Sequence, residues 1–279
     1  MCLVCGFSNI AKEEEPPVPF DENDANRVIN EIWIGQVTTT NLPPSMYYKT
    51  AGYLNDGVKK GFEQGLKAEL ISVEFNSPDL LMLQDLTENI YIFSGAKTYQ
   101  NVRAMSDLLA QPELKSSFYK FKDEALKVFS DYNVDYLQAE YQTSLASSRM
   151  AAEWNRIVAD ADLLPLLEYD TVGDGRVRPT HAALDKICRP VNDKFWTNYY
   201  PPNGWRCRCS VRQITAEEGT VTNLQGWLKP DDVPPEFMMN SGMDKYIFKT
   251  KGKDKHPYFD VAKGDKEYAK NNFNLPVPK

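Results

Sequence analysis

Apolar side chains recur every three to four residues in most of the chain between residues 24 and 162, and a two-residue alternation replaces this spacing later. The early spacing is typical of amphipathic helices, because residues three and four apart share one helix face. It predicts a short helix over residues 24–36 and a longer helix that begins near Pro43 and ends at Gly65. It also predicts helices over residues 78–93, 97–110, 117–130 and 133–162.

The second predicted helix contains three glycines, at positions 52, 57 and 61. Each glycine lowers the helix propensity by about 1 kcal/mol. The simplest explanation is that another helix or another chain comes close at these positions. The helix over residues 133–162 has small residues too, namely Ser147, Ser148, Ala151 and Ala152. This composition also predicts tight helix packing.

Short strands are predicted after residue 163. Residues 164–171, 187–191 and 206–214 have strand-like patterns, and the last of them is expected to be a central strand. Alternation along that strand separates its side chains into two faces. One face has Cys207, Cys209 and Val211, and the other has Arg206, Arg208, Ser210 and Arg212. The two thiols are therefore expected to point the same way.

Both ends of this last strand have local signals. Asn203-Gly204 precedes it and predicts a turn, because both residues tolerate a positive φ. Thr215 and Glu218 follow it with the spacing of a capping box, which predicts the start of a short helix.

Together these patterns predict an α+β fold, in which a mainly helical N-terminal two-thirds is followed by a small α+β module with a short sheet. Residues 1–40 are assigned to an N-terminal arm and a short helix, and residues 41–163 to a helical region. Residues 164–218 form the α+β module. Residues 219–279 form a loop-rich C-terminal tail, which is expected to be peripheral and to expose His256.

Composition narrows the class of protein. The net charge is −7 over 279 residues, which argues against a nucleic-acid coat. The apolar runs fall short of the roughly 18 residues that a membrane helix needs, and the N-terminus lacks the basic and apolar regions of a signal peptide. Five cysteines, an odd number, argue against a secreted disulfide framework and for a reducing compartment.

One region differs in charge from the rest of the acidic chain. Between residues 173 and 214, eight basic and three acidic residues give a net charge of +5. Such a patch attracts phosphates or an acidic partner. The candidate residues for contact with DNA or a partner are Arg176, Arg178, Arg206, Arg208 and Arg212. The alternative is a solvated face with structural arginines that pair with Asp174 or Asp185.

Signatures of common enzymes are missing from the sequence. There is no nucleophile elbow, no zinc-protease helix motif and no dinucleotide-binding glycine pattern. Residues 95–98 resemble the end of a phosphate loop without its upstream glycine, and are interpreted as a helix junction. His181 is interpreted as a hydrogen-bonded bracket between a turn and a helix. An enzyme alternative stays open, a small nuclease or a nucleotide-dependent transferase that uses His181 and the surrounding arginines.

Four residues of zinc-binding type lie in the basic region, namely His181, Cys188, Cys207 and Cys209. Thiolates and imidazoles suit tetrahedral zinc, and a closed set of four would be structural rather than catalytic. Because the Cys-x-Cys spacing is shorter than usual for zinc ligands, buried free thiols and no cofactor are the favoured interpretation. A redox role is a further alternative. Cys2-x-x-Cys5 has better spacing and is a second, weaker candidate ligand pair.

The most specific motif of the chain lies between Gly173 and Val211. An arginine and a histidine three residues apart are followed by an aspartate, then by a Pro-Pro-Asn turn and a Cys-Arg-Cys run that leads into a strand. The positions concerned are Arg178, His181, Asp185, Pro201, Pro202, Asn203, Cys207, Arg208 and Cys209. This motif resembles the phage Mu F-like head morphogenesis family. Residues 136–154 and 43–62 are similar to helices of that family, so the resemblance extends from about Pro43 to Thr215.

The resemblance implies a minor head protein of a tailed phage or prophage, present in few copies and associated with the portal inside the capsid. It implies non-catalytic roles in head morphogenesis and in genome packaging and delivery. The implied partners are the portal protein, other phage head proteins and packaged double-stranded DNA, without a membrane. The implied location is the virion, in the capsid interior near the portal, and the host cytoplasm during assembly.

The resemblance also assigns roles to the motif residues. His181, Asp185, Asn203, Cys207 and Cys209 are then structural residues of a rigid module. Some family members carry a toxin domain after this module, but residues 216–279 contain no motif, so no added enzyme domain is expected. The sequence departs from the family at Cys188, where a glycine or another residue other than cysteine is expected. This departure counts against the four-ligand zinc site.

Overall fold

The computed structural model of the chain describes residues 16–225 and 233–278. The candidate pair Cys2 and Cys5 lies outside the described residues. The helices of the first two-thirds are α1 (Glu22–Trp33), α2 (Pro44–Leu66), α3 (Pro78–Asp107), α4 (Pro112–Lys115), α5 (Phe118–Ser130) and α6 (Leu137–Ala159). The later elements are β1 (Leu166–Asp170), α7 (Pro179–Ala182), β2 (Cys188–Pro190), α8 (Trp196–Tyr199), β3 (Ser210–Ile214), α9 (Ser241–Asp244) and α10 (Lys266–Lys270). Within the described ranges, the helices lack an apolar stretch that could cross a membrane.

Local sequence explains where the first helices begin. Asp21 and Asp24 form a capping box at the start of α1, in which each carboxylate accepts the backbone N–H of the other residue. The Ser77 hydroxyl accepts the backbone N–H of Leu80 at the start of α3. Pro78 occupies the first turn of α3, where a missing N–H costs nothing.

A line of glycines lets α2 pack closely against α6. A Cβ atom on Gly61 would lie 2.0 Å from the carbonyl oxygen of Leu145, and one on Gly57 would lie 3.1 Å from the ring of Tyr141. The predicted close approach is therefore confirmed at Gly57 and Gly61. At Gly52 no other helix comes close, because a Cβ there would meet no atom of the described chain within 4 Å.

The helix α3 continues through residues 95–98, so the predicted junction is wrong and the predicted helices 78–93 and 97–110 are one helix. Gly95 does not end the helix but makes room for the C-terminal segment, since a Cβ there would lie 2.3 Å from Oδ1 of Asn272. The helices α5 and α6 are likewise joined without a break, through the π-helical stretch Asp131–Tyr136.

The three strands form an antiparallel sheet in the order β2-β1-β3. β1 is central, with Leu167 opposite both Arg189 of β2 and Gln213 of β3. The expectation that the last strand is central is therefore wrong, because β3 is an edge strand. The strand is also shorter than predicted, since ladder pairing starts at Ser210. The predicted fold class, a mainly helical α+β protein, is confirmed.

Two local predictions beside β3 need correction. The residue with a positive φ in the preceding turn is Arg206, at 57°, and not Asn203 or Gly204. After the strand, Glu218 N donates to Thr215 Oγ1 at 3.3 Å, and Thr215 N donates to Glu218 Oε2 at 3.1 Å. These are the two bonds of a capping box, but the backbone continues as a turn instead of a helix.

The C-terminal segment is part of the core, so the expectation that it is peripheral is wrong. The Asn89 side chain of α3 accepts the backbone N–H groups of Ile247 and Phe248, each at 2.9 Å. It also donates to the Phe248 carbonyl at 2.9 Å. The Phe248 ring stacks on Phe93 with centroids 3.8 Å apart. The segment is loop-rich as predicted, yet it completes the packing of the helices.

His256 is buried, in contrast to the predicted exposed position. Its ring lies against Phe93, Trp205 and Tyr258, at centroid distances of 5.0, 5.6 and 4.4 Å. Its Nδ1 accepts the backbone N–H of Tyr258 at 3.2 Å, which requires that nitrogen to be unprotonated. Burial, with a smaller contribution from the nearby Lys97 ammonium, lowers the pKa of His256 from 6.5 to about 3.

We expect acidification to destabilise the protein through His256. The unfolded chain takes up a proton at this imidazole near pH 6.5, whereas the folded chain keeps it neutral down to about pH 3. Stability from this residue is therefore complete above pH 6.5 and is lost by about 1.4 kcal/mol per pH unit as the pH falls below that value. Urea unfolding at pH 7, 6 and 5 measures the slope.

The matched control for this slope is His256→Asn, which keeps a side-chain acceptor for the Tyr258 N–H but does not titrate. We expect the variant to show a flatter dependence of unfolding free energy on pH between 7 and 5. Equal slopes for the two proteins would contradict the assignment.

Candidate functional site

Three buried side chains of the α+β module converge on one point. The Sγ atoms of Cys207 and Cys209 lie 3.6 and 3.7 Å from Nδ1 of His181. One ligand atom from each of the three residues lies within 4.8 Å of the others, and all three residues are at most 6% exposed. We call these residues the His-Cys-Cys cluster. The sequence places His181 far from the two cysteines, and the fold brings them together.

The orientation of the His181 ring is fixed from its other side. His181 lies in the short helix α7, and its Nε2 is 3.1 Å from the carbonyl oxygen of Asn203. A carbonyl oxygen only accepts, so Nε2 carries the hydrogen in this contact. In the neutral ring this leaves the lone pair of Nδ1 directed at the two sulfur atoms. The histidine is therefore held in one tautomer.

Asn203 is itself held by buried hydrogen bonds. Its Oδ1 accepts from the Tyr169 hydroxyl at 2.8 Å, and its Nδ2 donates to the Tyr200 carbonyl at 3.3 Å. Sequence reasoning missed Tyr169, which also lies beside Cys209, and burial raises the pKa of its hydroxyl well above the usual value. The sequence did contain a signal for Tyr169. Leu167 and Tyr169 are two residues apart and therefore share one face of β1, and a buried tyrosine hydroxyl needs a hydrogen-bond partner.

The two thiols reach the cluster because burial alternates from Cys207 to Cys209, with both cysteines buried and Arg208 between them only partly buried. The left-handed Arg206 ends the preceding turn, and alternation then points Cys207 and Cys209 inward and Arg208 outward. The pKa of Cys207 is well below the usual value, chiefly because Cys209 donates a hydrogen bond to it. The pKa of Cys209 is raised by the same bond and by burial.

Cys188 is not part of the cluster, so the structure does not bring the four predicted zinc ligands together. Cys188 pairs with Glu168 across the sheet, which puts it on the face opposite to Tyr169. It packs with Leu166 and Ile214 in a separate small apolar group. The burial of Cys188 raises its pKa. The structure brings together only His181, Cys207 and Cys209 of the proposed ligands.

Asp185 and the candidate arginines mostly bind nearby backbone or carboxylate groups. Asp185 Oδ1 accepts from the backbone N–H and hydroxyl of Thr171, at 2.8 and 2.9 Å. Arg208 binds both oxygens of Asp174 at 2.7 Å, and this pairing holds the pKa of Asp174 well below its usual range. Arg178 donates to the Trp205 carbonyl at 2.6 Å.

The remaining candidate arginines lie on the outside of the module. Arg212 forms an ion pair with Glu168 at 3.1 Å. The Arg176 side chain is 71% exposed, and its ion pair with Asp174 is longer, at 3.4 Å. Arg206 is exposed. Residues 173–214 have a net charge of +5, and including Glu168 and Asp170 of β1 gives residues 164–214 a net charge of +3. The basic patch is thus smaller than the sequence segment suggests, and Arg176 and Arg206 are its most available members.

Surface pockets occur elsewhere on the molecule. A pocket of about 660 Å³ is lined by residues of α6, the β2–α8 connection and α9, including Trp154, Pro190 and Met243. A second, of about 340 Å³, lies between the end of α1 and the start of α2. Neither pocket is lined by His181, Cys207 or Cys209. The geometry at His181 is that of a packed interior.

Comparison with known proteins identifies the segment that contains the cluster. Residues 95–212 match the family described as Phage Mu protein F like protein. The "Putative capsid assembly protein F" of Escherichia phage Mu is 39% identical over 85 residues, which cover 30% of this chain and 19% of the phage protein. The "Mu-like prophage FluMu F protein" of Haemophilus influenzae is 32% identical over 79 residues, covering 28% of this chain and 19% of that protein.

The similarity to these two relatives thus spans about a fifth of their length, 19% in each case. No solved structure matches the chain at a significant level. The matched region runs from the middle of α3 into β3 and contains α5, α6, β1, β2 and the His-Cys-Cys cluster. The predicted resemblance is confirmed, and it rests on residues 95–212, which are similar to the phage Mu F-like family.

Proposed function

We propose that the protein acts in the assembly of phage heads and is not an enzyme. The observation that carries this proposal is the match of residues 95–212 to the Mu F-like family, whose relative in phage Mu is named a putative capsid assembly protein. The proposed role is that of a minor head protein that binds the portal and other head proteins inside the capsid. A role in packaging and delivery of the genome follows from that position.

The chemistry of the module supports a scaffold. The imidazole of His181 and the two thiols are buried, and the ring nitrogen of His181 that does not face them is occupied by a backbone carbonyl. A hydrolytic or transfer enzyme needs its base within reach of a substrate. The enzyme alternative, a small nuclease or a nucleotide-dependent transferase, would need the module to open around His181.

The helical part offers surface for protein partners. The connection between α2 and α3 exposes two large apolar side chains, Ile71 at 92% and Phe75 at 80%. Grouped apolar side chains on a surface are often contact sites for other proteins. On the module, Arg176 and Arg206 are the residues best placed to approach packaged DNA.

The test is co-expression of the chain with the portal and capsid proteins encoded in the same genome. We expect the protein to copurify with the portal and to be present in isolated heads, and its deletion to lower the yield of infectious particles. Ile71→Ser with Phe75→Ser should weaken recovery with the portal, whereas Leu163→Ser, at a position 79% exposed on the module side, should not. Heads that assemble and infect normally without the protein would contradict the proposal.

Two further arms separate the alternatives. Arg176→Glu with Arg206→Glu should lower the amount of packaged or delivered DNA if the basic patch faces the genome, and normal delivery would remove DNA from the list of partners. Incubation of the purified protein with DNA and divalent metal ions tests the nuclease. Cleavage that His181→Ala abolishes would overturn the non-catalytic role.

A further inference from the structure

We propose that His181, Cys207 and Cys209 form a zinc site with three protein ligands, which ties α7 to the segment before β3. This inference concerns the module itself and does not depend on the role in head assembly. The ligand atoms are Nδ1 of His181 and the Sγ atoms of Cys207 and Cys209. Imidazole nitrogen and thiolate sulfur are the ligands that zinc prefers in proteins.

The distances agree with tetrahedral coordination of one ion. Zinc lies about 2.3 Å from sulfur and about 2.0–2.1 Å from nitrogen, which puts a sulfur and a nitrogen ligand about 3.6 Å apart at the tetrahedral angle. The two observed distances from Nδ1 of His181 to Sγ are 3.6 Å for Cys207 and 3.7 Å for Cys209. All three atoms lie within 4.8 Å of one another. The two nitrogen–sulfur distances therefore match those expected around one zinc ion.

The contact at Nε2, the ring nitrogen of His181 that faces away from the sulfur atoms, is typical of a metal-binding histidine. Ligating histidines usually donate their second N–H to a carboxylate, a backbone carbonyl or water, which fixes the tautomer. Here Nε2 faces the Asn203 carbonyl at 3.1 Å, and Asn203 is held in turn by Tyr169 at 2.8 Å. The Nδ1 lone pair is thus aimed at the two sulfur atoms.

Hydrogen bonds alone explain this arrangement less well than a metal does. The lone pair of Nδ1 can accept one hydrogen, so only one of the two thiols can donate to it, although both sulfur atoms lie at nearly the same distance. A zinc ion would use all three atoms at once. The one-residue spacing of the cysteines is no obstacle, because both Sγ atoms lie within 3.7 Å of Nδ1 of His181.

The fourth position has no candidate among the described acidic, histidine and cysteine residues, since the ligand group contains three residues. Asp185 is close by, but its Oδ1 is held by Thr171. We therefore assign the fourth position to a water molecule or another small ligand. Because the three ligands are at most 6% exposed, the ion would stabilise the module and would not face a substrate.

The experiment uses the full chain with Cys2→Ser and Cys5→Ser, so that the N-terminal cysteines cannot contribute metal binding. Zinc content is measured by elemental analysis after removal of free metal. We expect about one zinc per chain. Cys188→Ser serves as the matched control, because it removes a buried cysteine of the same module that lies outside the cluster. It should keep its zinc, whereas Cys209→Ser and His181→Gln should lose it.

A second measurement keeps the test decisive if the cluster variants fold poorly. Cobalt is added to the metal-free parent protein, and thiolate ligands should give a charge-transfer absorption that added zinc abolishes. Zinc should also raise the melting temperature of the parent and of Cys188→Ser, because a ligand that binds only the folded chain stabilises it. A parent protein that binds neither metal and melts at the same temperature with and without zinc would overturn the proposal. So would Cys188→Ser losing zinc as fully as Cys209→Ser.

Discussion

Glu140→Gln is expected to lower the free energy of unfolding by about 3–5 kcal/mol, because it leaves the charge of Lys97 buried without a counter-charge. The Lys97 ammonium lies 2.9 Å from Oε1 and 2.8 Å from Oε2 of Glu140, and both side chains are at most 2% exposed. The ammonium also lies over the rings of Tyr132 and Tyr258, at 5.6 and 5.3 Å. Tyr258 donates a hydrogen bond to Glu140 Oε1 at 2.8 Å.

Burial opposes the charged form of each partner. It lowers the pKa of Lys97 and raises the pKa of Glu140, while their mutual attraction acts in the other direction for both. Each buried charge therefore requires the other as its counter-charge. The ion pair as a whole adds little stability beyond what two neutral side chains would give.

The double variant Lys97→Met/Glu140→Gln separates these two effects. Methionine fills the same volume without a charge, and glutamine keeps an acceptor for the Tyr258 hydroxyl. We expect the double variant to regain most of the stability that Glu140→Gln loses, in urea unfolding at pH 7. A double variant as unstable as the single one would show that the ion pair is itself a net source of stability.

The second large loss of stability is expected for Gly61→Ala, in the contact between α2 and α6. A Cβ at this position would lie 2.0 Å from the Leu145 carbonyl oxygen and 2.3 Å from Oγ of Ser148, so the two helices must separate to accept it. Such overpacking costs about 3 kcal/mol at the upper end of the usual range. The better helix propensity of alanine returns about 1 kcal/mol of this. Gly61→Ala should therefore lower the free energy of unfolding by about 2 kcal/mol.

Gly52 provides the matched control on the same helix. A Cβ there meets no atom within 4 Å, so Gly52→Ala should stabilise the protein by up to about 1 kcal/mol through propensity alone. Chemical denaturation of the two variants measures the free energy of unfolding, which we expect to fall for Gly61→Ala and to rise for Gly52→Ala. Equal effects would mean that the helices adjust freely at Gly61.

The helices were predictable because their apolar spacing is local information. The spacing located α2 and α6, and the glycines of α2 correctly indicated a close neighbour at positions 57 and 61. What local sequence could not show is which glycine faces which surface. Gly52 lies away from α6, and Gly95 contacts Asn272 instead of breaking α3. Both outcomes depend on packing partners that are distant in the sequence.

The C-terminal segment was the largest error of the sequence-based view. Its prolines, glycines and lysines are typical of an exposed tail. Its few large side chains, among them Phe248 and Phe273, have no periodic spacing, so nothing local indicates that they are buried. Their partners are Phe93 and Tyr99 of α3, which are more than a hundred positions earlier in the chain. Contacts of this kind become visible only in the folded chain.

The candidate site was partly predictable. Alternation correctly put the thiols of Cys207 and Cys209 on one face of an extended segment. The position of His181 beside them depends on the left-handed Arg206 and on the direction of the Asn203 carbonyl, and the turn signal at Asn203-Gly204 specifies neither. Cys188 was assigned to the same set on residue type alone. The strand register places it opposite Glu168 and thereby on the other face of the sheet.

The stacking of Phe273 on Tyr99 means that sequence similarity and packing divide this chain differently. The similarity to the Mu F-like family stops at residue 212. Aromatic rings contributed by residues 248–273 nevertheless stack on α3, whose second half lies inside the similar region. An excised fragment that ended with the family match would leave those surfaces of α3 open to water. Boundaries for expression, for domain transplantation or for comparison with longer relatives are therefore better drawn beyond the last of these rings.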